Sequence, residues 1–397
     1  IVISEDKNNY IRSLFLAYKQ YMNSIQLVDL LSQYKKIETE VNDAIINVVR
    51  SGKYINGPEV KSFKTHLQEK LNVKHVIPCA NGTDALQIAL MAAGLKPGDE
   101  VITPSFSYIA TAEVIALLNL KPVFIEVNPD SFTIDIDQLE KVYNPKVKAI
   151  IPVHLYGQCA DMEPILNFSR KNKIVVIEDT AQAIDTSYTF SDGTVKKAGT
   201  MGDFGTTSFF PSKNLGAYGD AGAIFTNDDD LATKASMVAN HGQSRKYVHD
   251  IIGCNSRLDT IQAAVLDVKL KYLGNYITAR QEVAEKYSAA FKTIDDLQTP
   301  KIEKYSDHTY HQYTLKLKDA NKRDALMTFL NNESIPCNTY YPIPIHLQKG
   351  FSKFDINTDL TLTEDLCSRV ISLPMHTEME EDQISFITKK VLEFFKK

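Results

Sequence analysis

The chain reads Ser208-Phe209-Phe210-Pro211-Ser212-Lys213-Asn214-Leu215-Gly216 around one lysine. The residues before it, Thr206 to Phe210, have the β-branched and aromatic character of a strand, and a glycine-rich stretch, Gly216 to Gly222, follows it. A lone lysine is usually a solvated surface residue, whereas this one stands in a loop at the end of a predicted buried strand. The stretch therefore predicts an amine placed at the carboxyl end of a strand.

A second predicted strand ends in an acid, in the run Ile174-Val175-Val176-Ile177-Glu178-Asp179. An amine and a carboxylate at the carboxyl ends of two buried strands suit pyridoxal phosphate. The lysine forms a Schiff base with the aldehyde, and the aspartate keeps a proton on the pyridine nitrogen. Asp179 could also cap a helix, and the two roles are compatible. The sequence thus predicts this cofactor, with Lys213 and Asp179 as the catalytic residues.

The bulk composition excludes several other classes of protein. The 397 residues are 44% hydrophobic, enough for a large core and more than one domain. The net charge of −5 comes from interleaved charges without a basic stripe, so nucleic acid is not an expected partner. No apolar run approaches the roughly 20 residues that span a bilayer. The five scattered cysteines, without a C-x-x-C pair, suit a reducing cytoplasm and argue against disulfides or a metal site.

The order of predicted elements indicates an α/β architecture. Strands and helices alternate over about 150 residues, which predicts βα units and a mostly parallel sheet. The alternation breaks near Asn255, where a long helical stretch, Asp259 to Phe291, begins, and a smaller α/β segment follows from Thr309. We expect a large cofactor-binding domain over residues 22–270, and a connecting helix with a small domain over 271–397. Residues 1–21 are expected to be an extension ahead of Met22.

The segment Asn81-Gly82-Thr83 follows a predicted strand and opens a predicted helix. Free N–H groups and the helix dipole make that junction an anion site, to which the Thr83 hydroxyl can add a hydrogen bond. Taken alone, the segment is better explained as an ordinary capped turn. Ser208 is a second candidate for the phosphate. The sequence has neither a dinucleotide-binding G-x-G-x-x-G after a strand nor a P-loop.

Two further positions suit a flat cofactor ring. Phe106 and Tyr108 follow the strand Glu100 to Thr103, and either could stack on the ring while the other packs in the core. We favour Tyr108 for the stack. Gln182 lies three residues after Asp179, where its amide could reach the phenolic oxygen of the ring.

Asn255 and Arg257 alternate along a predicted extended segment and are expected to point the same way. Such a pair suits a phosphate or a carboxylate, although a capped loop with a surface arginine is an alternative. His154 ends another predicted strand, where a single histidine is more often a hydrogen-bonded core residue than a catalyst.

Tyr341 and His346 stand in a loop stiffened by Pro342 and Pro344. Loops of this polar and aromatic composition often line substrate sites. A structural bracing role is nearly as well supported by the sequence.

Together, these segments resemble the DegT/DnrJ/EryC1/StrS nucleotide-sugar aminotransferases, which are pyridoxal phosphate enzymes of fold type I. The resemblance runs in order from about residue 27 to the C-terminus. The matching segments are Ser51-Gly52, Gly57-Pro58, Asn81 to Leu86, Pro97 to Val101, Val153 to Gly157, Glu178 to Gln182, Ser208 to Asp220 and Asn255 to Gln262.

The resemblance implies a large domain with a central, mainly parallel, seven-stranded sheet, a small C-terminal α/β domain, and a homodimer with shared active sites. It implies Lys213 as the Schiff-base lysine and Asp179 as the partner of the pyridine nitrogen. The phosphate would be held by Gly82, Thr83 and Ser208, with Asn255 contributed by the other subunit. Relatives that are dehydratases carry histidine at the lysine position, so Lys213 favours transamination.

Within the family, the segments around Asn255, Gln312 and Tyr341 look most like members that aminate C3 of a UDP-linked 3-keto sugar. In the hexuronic acid subgroup, the arginine at the position of Arg257 meets the sugar carboxylate, and Tyr341 and His346 are further candidates for substrate contacts. The resemblance implies L-glutamate as amino donor and an amino sugar for surface polysaccharide as product. The alternatives are a 4-keto sugar linked to dTDP or UDP, a dehydratase and a non-catalytic sensor.

Overall fold

The computed structural model describes residues 25–396. The extension expected at residues 1–21, and the start at Met22, lie outside these residues. Helices and strands alternate through the first half of the chain and then give way to a helix-rich second half. In chain order they are α1 (Leu30–Lys36), α2 (Glu38–Ser51), α3 (Pro58–Leu71), β1 (His75–Cys79), α4 (Gly82–Ala92), β2 (Glu100–Pro104), α5 (Ala110–Leu117), β3 (Lys121–Ile125), α6 (Leu139–Val142), β4 (Val147–Ile150), α7 (Met162–Asn172), β5 (Val175–Asp179), β6 (Ser187–Thr189), β7 (Val195–Lys197), β8 (Phe204–Ser208), β9 (Gly222–Thr226), α8 (Asp229–Ala239), β10 (Gln243–Arg245), β11 (Val248–His249), α9 (Thr260–Leu270), α10 (Leu273–Phe291), β12 (Leu297–Gln298), β13 (Tyr313–Leu317), α11 (Ala320–Asn332), α12 (Thr361–Arg369), β14 (Val370–Leu373) and α13 (Glu381–Phe395).

A seven-stranded sheet forms the centre of the molecule, in the order β1-β9-β8-β5-β4-β2-β3. Strand β9 is antiparallel to both of its neighbours, and the other pairs are parallel. Helices cover both faces: Ile177 of β5 packs with α4, α5 and α8, whereas the adjacent Val176 packs on the opposite face with α7. Burial on both faces explains the nearly continuous apolar composition of β5. The mainly parallel seven-stranded sheet predicted from the sequence is confirmed.

The long helical stretch predicted from Asp259 to Phe291 is two helices. Helix α9 ends at Leu270 and α10 begins at Leu273, so a two-residue turn interrupts the predicted stretch. Leu273 packs in the core beneath the large sheet, whereas Tyr287 and Phe291 pack in a second core around the three-stranded sheet β12-β13-β14. Helix α10 therefore joins the two cores, and the domain boundary near residue 270 stays a prediction.

The sequence predicts strands from Lys148 to His154 and from Tyr310 to Leu317, and both strands are shorter in the structure. Strand β4 ends at Ile150, and His154 lies beyond it, before a short 3₁₀ turn at Leu155–Gly157. Strand β13 begins at Tyr313, because the preceding Tyr310 has a φ of 44° that no strand accommodates. Both irregular segments lie beside the cavity described next. Among the described residues, no helix is long and apolar enough to cross a membrane.

Candidate active site

Lys213 lies in the loop between the antiparallel strands β8 and β9, and its side chain is half-buried. The loop is closely folded: the Lys213 N–H donates to Phe210 O at 2.8 Å, and a Cβ on Gly216 would lie 2.2 Å from Pro211 O. The neighbouring Asn214 donates from Nδ2 to Thr309 O at 2.9 Å. These contacts hold the lysine at the edge of the sheet where β8 ends.

Asp179 is the last residue of β5, adjacent to β8, and it is buried. Both polar groups of its main chain are paired with the segment that follows β4, because its N–H donates to Pro152 O at 2.9 Å and its carbonyl accepts from His154 N at 3.0 Å. Its carboxylate accepts hydrogen bonds from the Thr111 hydroxyl at 2.8 Å and from Ala181 N at 3.1 Å. The acid is therefore fixed in position at the same edge of the sheet as Lys213.

One cavity of about 730 Å³ contains both residues, at the carboxyl ends of β1, β2, β5 and β8. Ligands of α/β proteins bind at this edge of the sheet. Burial lowers the pKa of Lys213 to about 8, and the nearby Asp179 charge acts in the opposite direction. Near neutral pH, a usable fraction of the amine is therefore unprotonated and nucleophilic.

The N-terminus of α4 forms one wall of this cavity. Asn81 caps the helix by accepting from Asp84 N at 2.8 Å, and Gly82 and Thr83 occupy the first turn, where N–H groups have no intrahelical acceptor. A Cβ on Gly82 would lie 2.7 Å from Ser208 Cβ, so glycine is required for the close approach of Ser208. The helix N-terminus and the serine hydroxyl together suit a phosphate group.

Gln182 has a side chain whose orientation is set by the main chain. Its Oε1 accepts from Tyr156 N at 2.8 Å, so its Nε2 must be the atom that points to the Tyr341 hydroxyl, at 2.9 Å. The Gln182 side chain therefore joins the Tyr156 main chain to the Tyr341 hydroxyl at the wall of the cavity. Gln182 thus presents hydrogen-bond donors to the cavity, as a phenolic oxygen on a bound ring would require.

The structure separates the two aromatic candidates for ring stacking. Tyr108 is 58% exposed and lines the cavity, with its ring centroid 6.1 Å from that of Tyr341. Phe106 is buried and stacks on Phe132 at 5.7 Å between centroids. Tyr108 is therefore available to a ligand, whereas Phe106 belongs to the core.

The cavity offers an amine, a buried carboxylate, an anion-binding helix end, an amide donor and an aromatic face, a set that fits pyridoxal phosphate. The profile of the DegT/DnrJ/EryC1/StrS aminotransferase family matches residues 35–392. The chain belongs to this family. Pyridoxal phosphate is its cofactor.

Relatives of this aminotransferase align over almost their whole length. A "UDP-2-acetamido-2-deoxy-3-oxo-D-glucuronate aminotransferase" of Pseudomonas aeruginosa is 43% identical, over 91% of this chain and 98% of that protein. A "UDP-N-acetyl-3-dehydro-alpha-D-glucosamine 3-aminotranferase" of Acidithiobacillus ferrooxidans is 40% identical, over 92% of this chain and 96% of that protein. A "Pleiotropic regulatory protein" of Geobacillus stearothermophilus is 43% identical, over 94% and 99%.

Solved structures agree with the fold of the aminotransferase. A family member from Brucella abortus superposes with a TM-score of 0.88 at 41% identity, covering 94% of this chain and 100% of that one. A protein from Bacillus subtilis, solved "with bound cofactor pmp", superposes with a TM-score of 0.84 at 30% identity, covering 94% and 83%.

Asn255 and Arg257 do not line this cavity within the described chain. The segment alternates as expected: Asn255 is exposed, Ser256 is buried and Arg257 is half-buried. The Ser256 hydroxyl donates to Asp84 Oδ2 at 2.6 Å and accepts from Ala80 N at 3.0 Å. The aminotransferase thus ties this segment to the start of α4 while presenting Asn255 on its surface.

The two candidates in the proline-rich loop are placed differently. Tyr341 lines the cavity, and burial raises the pKa of its hydroxyl, so it is a neutral hydrogen-bonding group there. His346 is not among the lining residues of the described chain. Its Nδ1 lies 2.8 Å from Ser105 Oγ and its Nε2 lies 3.2 Å from Glu364 Oε1, so it joins the loop to β2 and α12.

His154 is a fully buried core residue. Its Nδ1 accepts from Ala160 N at 3.0 Å, so its Nε2 carries the proton that is donated to Glu178 at 2.9 Å. The structure therefore agrees with the interpretation of His154 as a hydrogen-bonded core residue.

Sequence reasoning missed two residues of the site, Thr111 and His311. Thr111 contacts Asp179, and the signal available was a polar residue inside an apolar helix, which requires a partner when buried. His311 lines the cavity, and burial, with the charges of Lys213 and Arg280, lowers its pKa well below the usual value. The aminotransferase therefore holds a neutral imidazole in the same cavity as Lys213.

Proposed function

We propose that the protein transfers an amino group from L-glutamate to C3 of a UDP-linked 3-keto sugar. The observation that carries the proposal is the half-buried Lys213 amine in one cavity with the buried Asp179 carboxylate, at the carboxyl edge of the sheet. The names of the relatives from Pseudomonas and Acidithiobacillus support the sugar class. The product would be an amino sugar for surface polysaccharide, made in the cytoplasm.

The residues of the cavity divide the binding of the cofactor among them. When bound, pyridoxal phosphate supplies an aldehyde that carries the amino group and a ring that accepts electrons from the reacting carbon. Asp179 would hold the proton on the ring nitrogen, and Gln182 would donate to the phenolic oxygen. Tyr108 would stack on the ring. The phosphate would be held by Gly82, Thr83 and Ser208.

Lys213 would act as the proton carrier of the reaction as well as the attachment point of the cofactor. Its Nζ takes a proton from the reacting carbon of the amino donor and returns one to the sugar carbon. A pKa of about 8 leaves both protonation states populated near neutral pH, which a group that works in both directions requires.

A second copy of the chain would complete the site. Asn255 is exposed on the surface and outside its own cavity, while its neighbour Ser256 is fixed to the phosphate-binding helix. Exposed apolar residues in the segment just before Asn255, Tyr247 and Ile252 at 81% and 86%, are suited to burial against another subunit. We infer a homodimer in which Asn255 of each chain binds the phosphate in the other.

The substrate contacts are proposed from the same arrangement. Arg257, beside Asn255, would reach the partner's cavity and bind the carboxylate of a hexuronic acid substrate. Tyr341, whose hydroxyl accepts from Gln182, would contact the sugar from the small domain. His346, in the same loop as Tyr341, would also contact the substrate, although its ring contacts Ser105 and Glu364 in this chain.

The alternatives are less well supported. A 4-keto sugar acceptor would use the same site, but the two relatives whose names state a 3-keto substrate favour C3. The regulatory name of the Geobacillus relative raises a sensor function, yet a sensor has no need of an amine with a pKa of about 8 beside the buried acid.

The first test of the proposal is spectroscopic. The purified chain with pyridoxal phosphate is expected to show a visible absorption band that bleaches on addition of L-glutamate, with stoichiometric release of 2-oxoglutarate. An absorption band that persists after glutamate is added would exclude glutamate as the amino donor. Release of 2-oxoglutarate in the absence of a sugar acceptor would exclude a non-catalytic sensor.

The second test addresses the acceptor. The glutamate-treated protein is mixed with UDP-linked and dTDP-linked 3-keto and 4-keto sugars, with and without a C6 carboxylate, and aminated product is measured by mass spectrometry. We expect the UDP-linked 3-keto hexuronic acid to react fastest. Arg257→Ala should slow amination of the sugar with a C6 carboxylate more than amination of the same sugar without it. Equal slowing of the two reactions would contradict the role of Arg257.

A further inference from the structure

We propose that Thr111 is a positioning residue, which holds the Asp179 carboxylate in the orientation that the pyridine nitrogen of the cofactor requires. The inference rests on the role proposed above for Asp179. It assigns a function to a residue in a helix that carries no recognisable motif.

The first observation is a direct and buried hydrogen bond. Thr111 lies in the first turn of α5, is 1% exposed, and places its Oγ1 at 2.8 Å from Asp179 Oδ2. An ionised carboxylate offers acceptors only, so the threonine hydroxyl is the donor. A donor to a charged group forms a stronger bond than one between neutral groups.

The second observation is that the two carboxylate oxygens have different donors. Ala181 N donates to Asp179 Oδ1 at 3.1 Å, and Thr111 donates to Oδ2. The main chain of Asp179 is already fixed by hydrogen bonds to the residues that follow β4. The Thr111 bond therefore controls the one freedom that remains, which is rotation of the carboxylate.

The third observation concerns the partner of this hydroxyl. In the first turn of a helix, a threonine has no carbonyl of the same helix one turn back to bond. Thr111 instead bonds a residue 68 positions away in the chain, on another element of the sheet. Its neighbours Ala110 and Ala112 are buried and apolar, so the hydroxyl is directed to the acid.

These observations have a functional consequence. A carboxylate has about four acceptor positions, so the two donors leave room for the N–H of a bound pyridine ring. Hydrogen bonds to a carboxylate favour its ionised form, and an ionised partner keeps the ring nitrogen protonated. Without Thr111, the buried acid would lose a donor, turn more freely and hold that proton less firmly.

The test compares three variants of the full-length chain. Thr111→Val removes the hydroxyl at nearly constant shape, and Thr111→Ser retains it. Thr180→Val is the matched control, because Thr180 is fully buried next to Asp179 and its hydroxyl also donates over 2.8 Å, but to Thr206 O. For each variant we measure the dissociation constant of pyridoxal phosphate, the pH midpoint of its visible absorption band, and the melting temperature of the cofactor-free protein.

Thr111→Val is expected to bind pyridoxal phosphate about tenfold more weakly, the loss typical of one hydrogen bond to a charged group. The pH midpoint of the absorption band should rise, since a less firmly protonated ring withdraws fewer electrons from the lysine linkage. Thr111→Ser should match the unmodified protein in both quantities. Thr180→Val should lower the melting temperature but leave the dissociation constant and the midpoint unchanged.

The proposal is overturned if Thr111→Val and Thr180→Val change the cofactor measurements equally, or if Thr111→Ser behaves like Thr111→Val. Should Thr111→Val fail to fold, Thr111→Cys keeps the test decisive, because its thiol is a weak donor and its dissociation constant should lie between those of valine and serine. None of the readouts needs an amino donor or a sugar, so failure of the proposed transamination would be recognised separately.

Discussion

Two cavities of nearly equal volume lie at opposite ends of the seven-stranded sheet. The cavity at the carboxyl ends measures about 730 Å³ and contains Lys213 and Asp179. The cavity at the amino ends of β2 and β3 measures about 690 Å³ and is lined by charged residues that include Lys121 and Lys353. Volume and the presence of lysines therefore do not distinguish a catalytic site from a surface cleft.

The difference between the two cavities is how their polar groups are held. Lys121 and Lys353 are exposed to solvent, whereas Lys213 is half-buried and its pKa falls to about 8. Asp179 receives two directed hydrogen bonds, from the buried Thr111 and the half-buried Ala181. Desolvation of the amine, together with a fixed carboxylate in the same cavity, therefore distinguishes Lys213 from an ordinary surface lysine. Five experiments test this distinction.

The largest effect is expected from removing the reactive amine. Lys213→Ala should lower multiple-turnover transamination by about 10⁴-fold or more, because the residue serves both as attachment point and as proton carrier. Steady-state release of 2-oxoglutarate measures this. The control, Lys353→Ala, removes a lysine from the opposite cavity, and the assignment of Lys213 fails if both variants keep turning over.

The next largest effect is expected at the acid. Asp179→Asn should slow the reaction about 10²- to 10³-fold, since an amide cannot supply the negative charge that keeps the ring nitrogen protonated. Rapid mixing with glutamate, followed at the cofactor absorption band, measures the rate. Retention of more than about a tenth of the rate would show that the buried carboxylate is not needed for the ring.

The third largest effect is expected in the pH at which Lys213 reacts, whose midpoint should lie about two pH units below that of a fully solvated lysine. Lysine amines react when unprotonated, so labelling of Lys213 in the cofactor-free chain should rise with pH through about 8. A fully solvated lysine reaches its midpoint near pH ~10.4. Reductive methylation across pH, read by mass spectrometry, gives both profiles at once, and a Lys213 midpoint above pH ~9.5 would contradict the desolvation argument.

A smaller effect is expected at the phosphate-binding helix. Gly82→Ala would place a Cβ 2.7 Å from Ser208 Cβ, so the two residues must separate and the binding of pyridoxal phosphate should weaken about tenfold. Equilibrium dialysis measures this. Gly350→Ala is the control, because a Cβ there meets no atom within 4 Å. Equal affinities in the two variants would argue against a phosphate at this position.

The smallest effect is expected at the opposite cavity. Lys121→Ala should change the dissociation constant of pyridoxal phosphate and the rate with glutamate by less than about twofold, because exposed charges contribute little. The melting temperature should also stay close to that of the unmodified chain. A larger loss of activity than from Gly82→Ala would mean that the amino end of the sheet has a function of its own.

Much of the fold followed from local patterns. Buried strands with apolar residues on both faces, each followed by a helix, predict a parallel sheet, and the observed strand order agrees with that prediction. The break between α9 and α10 was missed, since apolar residues continue at helical spacing across Lys271 and Tyr272. Leu270 and Leu273, on either side of the break, pack in the same core, so no change in the apolar pattern marks it.

Local sequence order is enough to identify the candidate catalytic and phosphate-binding residues of this protein. Asp179 ends a strand, and Gly82 and Lys213 follow strand ends by three and five residues. The carboxyl ends of parallel strands meet at one edge of a sheet. The identities of these residues, and their shared position at one edge of the sheet, therefore follow from the local sequence.

The hydrogen bonds between residues far apart in the chain, by contrast, depend on the tertiary structure. The bond from Thr111 to Asp179 joins residues 68 positions apart, and the contact of Gln182 with Tyr341 joins residues 159 apart. The exposure of Asn255 away from its own cavity has the same origin. Hydrogen bonds and desolvation depend on distances of a few ångströms between distant segments, and those distances are set by packing rather than by sequence spacing.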